Sequence, residues 1–191
     1  MGQYYSLEDA VPKNIEKAAY WIDKYTEQAN VQSQYIRGRF YELGLENTPK
    51  DYEKAVYWYK KSAERGWPDA QYALARSYQN GKGILEDHEK AVYWYRKAKD
   101  CYQETAELGY AEDQDKLGDC YYVLQDCEKA VYWYRKAAEQ GYGSAQYSFG
   151  RCYENGEGVS KDYEQANYWY RKAAEQGYEY AQKALNRLQN Q

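Results

Sequence analysis

Glu53-Lys-Ala-Val-Tyr-Trp-Tyr59 recurs unchanged at 89–95 and 128–134, and returns as Glu16-Lys-Ala-Ala-Tyr-Trp-Ile22 and Glu164-Gln-Ala-Asn-Tyr-Trp-Tyr170. Five such copies are internal repetition. The tryptophans Trp21, Trp58, Trp94, Trp133 and Trp169 lie 37, 36, 39 and 36 residues apart, the period of a helix-turn-helix solenoid. The sixth, Trp67, falls outside the series.

Over 52–66, an advance of 100° per residue gathers Tyr52, Ala55, Tyr59, Ser62, Ala63 and Gly66 on one face, with Trp58 at its flank. A second helix follows over 69–80, with Ala70, Ala73, Leu74, Ser77 and Tyr78 as its apolar face. Gly66 ends the first helix and Gly81 and Gly83 end the second, as C-terminal caps. The loops Asn80–Asp87 and Asn155–Asp162 finish in an aspartate suited to cap the next helix. The one irregular spacing resolves into parts. A small residue stands 17 places after Trp at Gly38, Ala75 and Gly150, but Gly118 lies 24 after Trp94. Seven residues are added around Lys99–Thr105, about two helical turns, and the following loop is shorter. An insertion of whole turns predicts one longer, continuous helix.

The chain therefore reads as all-α, a right-handed α-solenoid of antiparallel helix pairs with about five repeats of about 36 residues, and as a single domain over 1–191. One set of helices, those bearing Trp, is expected near 13–29, 50–65, 87–108, 126–140 and 162–176; the other near 31–43, 69–80, 111–124, 144–155 and 179–189. Composition fits this with an unusual core. Only 10 Leu, 4 Ile, 7 Val and 2 Phe occur among 191 residues, and the mean hydropathy is -1.13. Such values suggest disorder, yet 27 Tyr and 6 Trp against Ala supply the apolar surface.

The pattern Gly-x-Gly-Val-x-Lys-Asp-x-x-x-Ala-x-x-Trp-Tyr-x-Lys-Ala-Ala-x-x-Gly, clearest at Gly156–Gly177, followed by Ala-Gln-x-x-x-Gly, resembles the Sel1-like repeat, a relative of the tetratricopeptide repeat. The resemblance covers nearly the whole chain. It departs from the family at the Lys99–Thr105 insertion, at the short Tyr122–Asp126 loop, and in a first repeat that begins at its second helix. What the resemblance implies is an α-solenoid that scaffolds protein complexes, often in signalling or host-contact settings, with no one activity attached.

The chemistry of an enzyme is missing from the motifs. One histidine, His88, stands where Tyr52, Cys127 and Tyr163 stand in other repeats, and is read as a packing residue. Neither a phosphate-binding loop nor a His-Glu-x-x-His motif occurs. Cys101, Cys120, Cys127 and Cys152 lack metal-site spacing; Cys120 and Cys152 occupy one repeat position and read as small buried side chains. A Cys120/Cys127 disulfide is conceivable, and four cysteines allow three pairings. Reduced thiols are expected, and no cofactor and no metal. Lys+Arg 26 and Asp+Glu 30 are interleaved, giving a net charge of -4, which disfavours a nucleic-acid or membrane surface. The first ten residues lack the regions of a secretory signal, so the cytoplasm is expected.

Three ladders recur. Counting 14 and 18 residues from each Trp, with the seven-residue correction, gives Tyr35/Arg39, Tyr72/Arg76, Asp115/Asp119, Tyr147/Arg151 and Lys183/Arg187, each pair one turn apart. In stacked helical repeats this face usually lines the concave groove, and Tyr with Arg is what binding hot spots are rich in. These ten residues are the candidate site. They suit a protein or peptide segment with acidic or carbonyl-rich ends and a basic residue near its middle. Gln34, Gln71, Gln114, Gln146 and Gln182 form a second ladder, expected to tie helices together. The third, Tyr20, Tyr57, Tyr93, Tyr132 and Tyr168, points away from the core with a lysine four residues on each time, a ring-to-lysine contact along the helix. The leading expectation is a non-enzymatic interaction scaffold, monomeric, with self-association through exposed tyrosines as the variant. Alternatives are a hydrolytic or enzyme-regulatory subunit using carboxylates around Asp113, Asp115 and Asp119, and a structural spacer or homo-oligomer.

Overall fold

The computed structural model describes residues 30–44 and 49–189, and within them every regular element is a helix. In chain order these are α1 (Val31–Leu43), α2 (Tyr52–Glu64), α3 (Pro68–Asn80), α4 (His88–Glu107), α5 (Ala111–Val123), α6 (Cys127–Glu139), α7 (Gly143–Asn155), α8 (Tyr163–Glu175) and α9 (Glu179–Gln189). The expected helix near 13–29, with Tyr20, Trp21 and Lys24, lies outside the described residues. Seven of the nine helices have 13 residues; α4 has 20, so the inserted segment is continuous helix.

Each helix start is set locally. The carboxylates of Asp51, Asp87, Asp126 and Asp162 accept the backbone N–H of Lys54, Lys90, Lys129 and Gln165 at 2.9, 3.0, 3.3 and 3.0 Å, which satisfies donors the helix itself leaves open. Ends are equally regular. Gly66, Gly109, Gly141 and Gly177 take φ of +91°, +102°, +91° and +82°, and the next N–H reaches back five residues: Trp67 to Ser62, Tyr110 to Thr105, Tyr142 to Ala137, Tyr178 to Ala173. That closed turn needs a left-handed residue, which glycine supplies without strain. The carbonyl of the same aromatic then opens the next helix, accepting from Gln71, Gln114, Gln146 and Gln182. Trp67 is thus the counterpart of Tyr110, Tyr142 and Tyr178.

Two compact units divide inside α4, between Ala91 and Val92. In the first, α1 packs on α2 and α2 on α3, around Ala55, Val56, Trp58, Tyr59, Leu74 and Tyr78. In the second, α5 to α9 pack each on the next. One cluster gathers Val131, Tyr134, Phe149, Cys152 and Trp169; another gathers Tyr170, Leu185 and the alanines of α8 and α9. Alanine is what lets these rings seat. Where alanine is still too large, glycine stands: a Cβ on Gly38, Gly118 or Gly150 would come within 2.4, 2.6 or 2.8 Å of the ring of Tyr59, Tyr134 or Tyr170. The glycine at these three positions is therefore a ring socket.

Candidate functional site

The glutamine ladder explains how the helices carrying the candidate residues are fixed. Gln34, Gln71, Gln114 and Gln146 are buried. The side-chain amides of Gln71, Gln114 and Gln146 donate to the carbonyls of Ala63, Ala106 and Ala138 at 3.3, 2.9 and 3.2 Å. In the second unit each also receives: Gln140 Nε2 donates to Gln114 Oε1 at 2.7 Å, and Gln176 Nε2 to Gln146 Oε1 at 2.8 Å. Gln182 departs from the pattern; it is exposed and donates to Asn186. α9 is the last described helix.

On that frame the first unit presents Tyr35 and Tyr72, half-buried, and Arg39 and Arg76, exposed. The Tyr35 ring lies 5.9 Å from the buried ring of Tyr59, whose hydroxyl donates to Glu42 Oε2 at 2.7 Å. Arg39 sits 3.7 Å from the same carboxylate. The Arg76 guanidinium stands 5.9 Å over the Tyr72 ring. The second unit repeats the theme in α7. Tyr147 lies among Tyr170, Tyr178 and Tyr180 at 5.6, 5.3 and 6.2 Å. Arg151 lies 6.0 Å from Tyr147 and donates to the hydroxyl of Tyr122 at 3.4 Å. Tyr170 donates to Glu154 Oε2 at 2.5 Å, and Arg187 clasps both oxygens of Glu154 at 2.6 and 2.7 Å. Lys183 is exposed, with its ammonium 5.7 Å from the Tyr180 ring. Burial first, and then the carboxylate beside them, push the phenols of Tyr59 and Tyr170 far above the ordinary tyrosine value, so both remain donors.

α5 breaks the theme. Asp119 is half-buried and accepts the Tyr134 hydroxyl at 2.7 Å. In α1 and α7 the acceptor for that phenol is Glu42 or Glu154, three residues beyond the arginine; in α5 Tyr122 stands in that place, and Asp119 takes over the bond. Asp115, read from sequence as outward, is only 5% exposed, because a carboxyl is too short to reach out from where Tyr147 does in α7. Its Oδ1 is buried with no hydrogen-bond partner, while Ser144 donates to the carboxyl. Burial, and next the neighbouring Asp119, raise the Asp115 pKa well above the usual carboxylate range; Ser144 and Lys116 oppose the shift. Tyr142 is pushed up to about 12 by burial, with Glu112 and Asp115 adding to it.

The outer tyrosines stand as the wheel places them. Tyr57, Tyr93, Tyr132 and Tyr168 are about half exposed, at 51, 52, 50 and 48%, and the lysine four residues on lies 4.7, 6.0, 4.7 and 4.8 Å over each ring. Each ring also meets the adjacent Trp edge to face. None of the four cysteines forms a disulfide; Cys120 and Cys152 are buried, and burial pushes Cys152 up to about 12. His88, read from sequence as a packing residue, is exposed at the first position of α4, while Ala91 three residues on is buried.

Sequence reasoning passed over the residues that surround the ladder: Tyr142, Tyr178 and Tyr180, the acceptors Glu42 and Glu154, and Ser144. The signal for the first two was present, since a Gly-aromatic pair recurs at 66–67, 109–110, 141–142 and 177–178.

The Sel1 repeat family matches the chain over residues 1–29, 31–67, 68–103, 106–142 and 143–178. No curated protein matches it. Among solved structures, the chain is similar to c5321, described as a protective antigen present in uropathogenic Escherichia coli strains and displaying an SLR fold, with 38% identity and a TM-score of 0.68. The match covers 95% of this chain and 38% of the Escherichia coli protein, so this chain spans well under half of that relative. A Sel1 repeat protein from Oxalobacter formigenes is 32% identical, with a TM-score of 0.67 over 93% of this chain and 69% of that one. With five stretches of the chain matched by the family, and helix pairs of this geometry among the described residues, the chain belongs to the Sel1 repeat family, whose members are in general helical scaffolds for protein interactions.

Proposed function

We propose that this chain is a non-enzymatic adaptor that holds a protein or peptide segment through the ladder residues of each unit: Tyr35/Arg39 and Tyr72/Arg76 in the first, and Asp115/Asp119, Tyr147/Arg151 and Lys183/Arg187 in the second. One observation carries the reading: ladder tyrosines in both units rest on buried rings, as Tyr35 does on Tyr59 and Tyr147 on Tyr170, with an arginine one turn on. Rings held in this way lose little freedom on binding, and guanidinium groups beside them offer directed donors to carboxylates and carbonyls of a partner. The Asp115/Asp119 pair reverses the charge and suits a basic residue in the partner. Four cysteines outside any disulfide and without regular spacing favour a reducing compartment, the cytoplasm.

The test compares the wild-type chain with a Tyr35/Arg39/Tyr72/Arg76→Ala variant, checked as folded by circular dichroism, in affinity capture from the native cell with mass-spectrometric identification. Partners retained by wild type and lost by the folded variant are the expected result. Identical sets of partners would remove this face from consideration.

A further inference from the structure

A run of tyrosine rings climbs out of the core of the second unit and surfaces at the start of α9. Tyr170 is wholly buried, and the half-buried ring of Tyr147 lies 5.6 Å from it. Tyr178, also half-buried, stands 5.3 Å from Tyr147; Tyr180 stands 6.2 Å from Tyr147 and 5.9 Å from Tyr178. Tyr180 is 62% exposed. The upper end of the run is particular to α9. Two residues beyond the aromatic of the other Gly-aromatic turns stand Asp69, Glu112 and Ser144, where α9 has Tyr180, and Lys183 stands where α3 and α7 have Tyr72 and Tyr147. In α9 the ring thus comes first and the polar group second, the reverse of α3 and α7.

This geometry selects among guests. Centroids 5.3, 6.2 and 5.9 Å apart, with planes tilted by 44, 41 and 53°, belong to rings in mutual contact, so a guest lies across them rather than between them. A cation is the wrong guest. The Arg151 guanidinium already stands 6.0 Å from the Tyr147 centroid and the exposed Lys183 ammonium 5.7 Å from that of Tyr180, so a further positive group would meet like charge on the same rings. A flat, neutral ring suits the slab, and proline brings one on a backbone whose φ is already fixed. Proline-rich segments hold the extended polyproline helix before they bind, so they lose little freedom on an aromatic surface. Their backbone lacks N–H groups, which leaves carbonyls open to tyrosine hydroxyls. Lys183, at the edge of the slab, adds a preference for an acid beside the prolines. Burial raises the Tyr178 phenol first, and Asp115 and Asp119 add to it, so that side of the slab is acidic and the acid of the segment belongs at the Lys183 end.

We propose that Tyr147, Tyr178 and Tyr180, with Lys183 at their edge, bind a proline-rich segment in extended polyproline form that carries an acidic residue. The proposal rests on the adaptor reading above and names the chemistry of the partner at α7 and α9.

The experiment is an NMR titration of the full chain, isotopically labelled at its tyrosine rings, with the peptide acetyl-Pro-Pro-Glu-Pro-Pro-amide. Its controls are the same peptide with every proline replaced by alanine, the same peptide with lysine in place of glutamate, and cellotetraose, a non-peptide that also stacks on aromatic rings. Expected are saturable shifts at Tyr147, Tyr178 and Tyr180 with the first peptide, with affinity about tenfold weaker for the alanine peptide and weaker for the lysine peptide. Tyr180→Ser, which installs the residue α7 carries in that place, should weaken binding about tenfold while keeping the Tm. Lys183→Glu should invert the preference between the glutamate and lysine peptides. An absent response, equal binding of the alanine peptide, saturable binding of cellotetraose alone, or folded variants that bind as wild type would each overturn the proposal. The adaptor reading fails separately. If the peptide shifts these rings while both Tyr180→Ser and the folded Tyr35/Arg39/Tyr72/Arg76→Ala variant keep every cellular partner, the proline site stands and the adaptor reading falls. If the alanine variant loses its partners and the rings stay silent, the reverse holds.

Discussion

Helices α5 and α7 make a controlled pair inside one molecule. Both have 13 residues, both follow a Gly-Tyr turn, both are pinned by a buried glutamine, and in both a glycine seats the ring of a tyrosine from the next helix. Yet α7 presents Tyr147, Arg151 and Glu154, and α5 presents Asp115, Asp119 and Tyr122. One buried phenol links the last two changes. With Tyr122 in the place of Glu154, the Tyr134 hydroxyl needs another acceptor and finds it at Asp119, about one turn nearer the N-terminus of the helix. Asp115 is not explained by that exchange. The difference separates a substitution that the packing requires from one that it tolerates.

The largest effect should come from breaking what the two helices share. Gly118→Val or Gly150→Val drives a side chain into the Tyr134 or Tyr170 ring, at about 3 kcal/mol of overpacking. A fall in Tm of roughly 6–12 °C is expected for each by calorimetry, and an unchanged Tm would show that the ring is not fixed there.

A sharper contrast follows from the phenols. Tyr134→Phe removes a hydrogen bond from Asp119, which stands beside the buried Asp115, whereas after Tyr170→Phe the Arg187 guanidinium still clasps both oxygens of Glu154. Chemical denaturation should give a loss of about 2 kcal/mol for the first and about 1 kcal/mol or less for the second. Equal losses would mean that Arg187 does not compensate.

Asp115 should act in the opposite sense. Its folded pKa is raised above the unfolded value, so the stability it contributes is intact below the ordinary carboxylate range and is lost as pH rises through the raised pKa. Asp115→Asn should therefore stabilise by about 1 kcal/mol at neutral pH, or roughly 2–4 °C in Tm. That gain should vanish in acid. A gain independent of pH would assign the effect to shape rather than charge.

The smallest effect belongs to the outer row. Tyr132→Ala on α6 and Tyr168→Ala on α8 should each cost about 0.5 kcal/mol, and equally, since the two rings have matching exposure and matching Trp and lysine neighbours.

How far all this was legible follows the same divide between periodic and irregular features. Helix pairs, the small residue at Gly38, Gly118 and Gly150, the glutamines and the outward tyrosines each return from repeat to repeat, and a feature that returns reads as a rule even when its cause is hidden. The long α4 could be read because its seven extra residues make nearly whole turns. The depth of Asp115 could not. Depth depends on side-chain length against a particular set of rings, and a position that faces outward for tyrosine is interior for aspartate. Tyr122 escaped notice for a related reason: its meaning lies in a bond made elsewhere, by Tyr134.

The glutamine relay bears on how such a chain comes apart. In Gln146 the donor end grips the preceding helix through Ala138, and the acceptor end is gripped by Gln176 beyond the following one. A single side chain thus joins the force that closes one pair to the force that joins pairs. If a terminal pair frays, the amide it strands loosens its neighbour in turn, so local opening should spread inward as a front. Amide hydrogen exchange would record that front as stepped protection, rising from α9 towards α6, with Gln146→Leu blurring the step between α7 and α8.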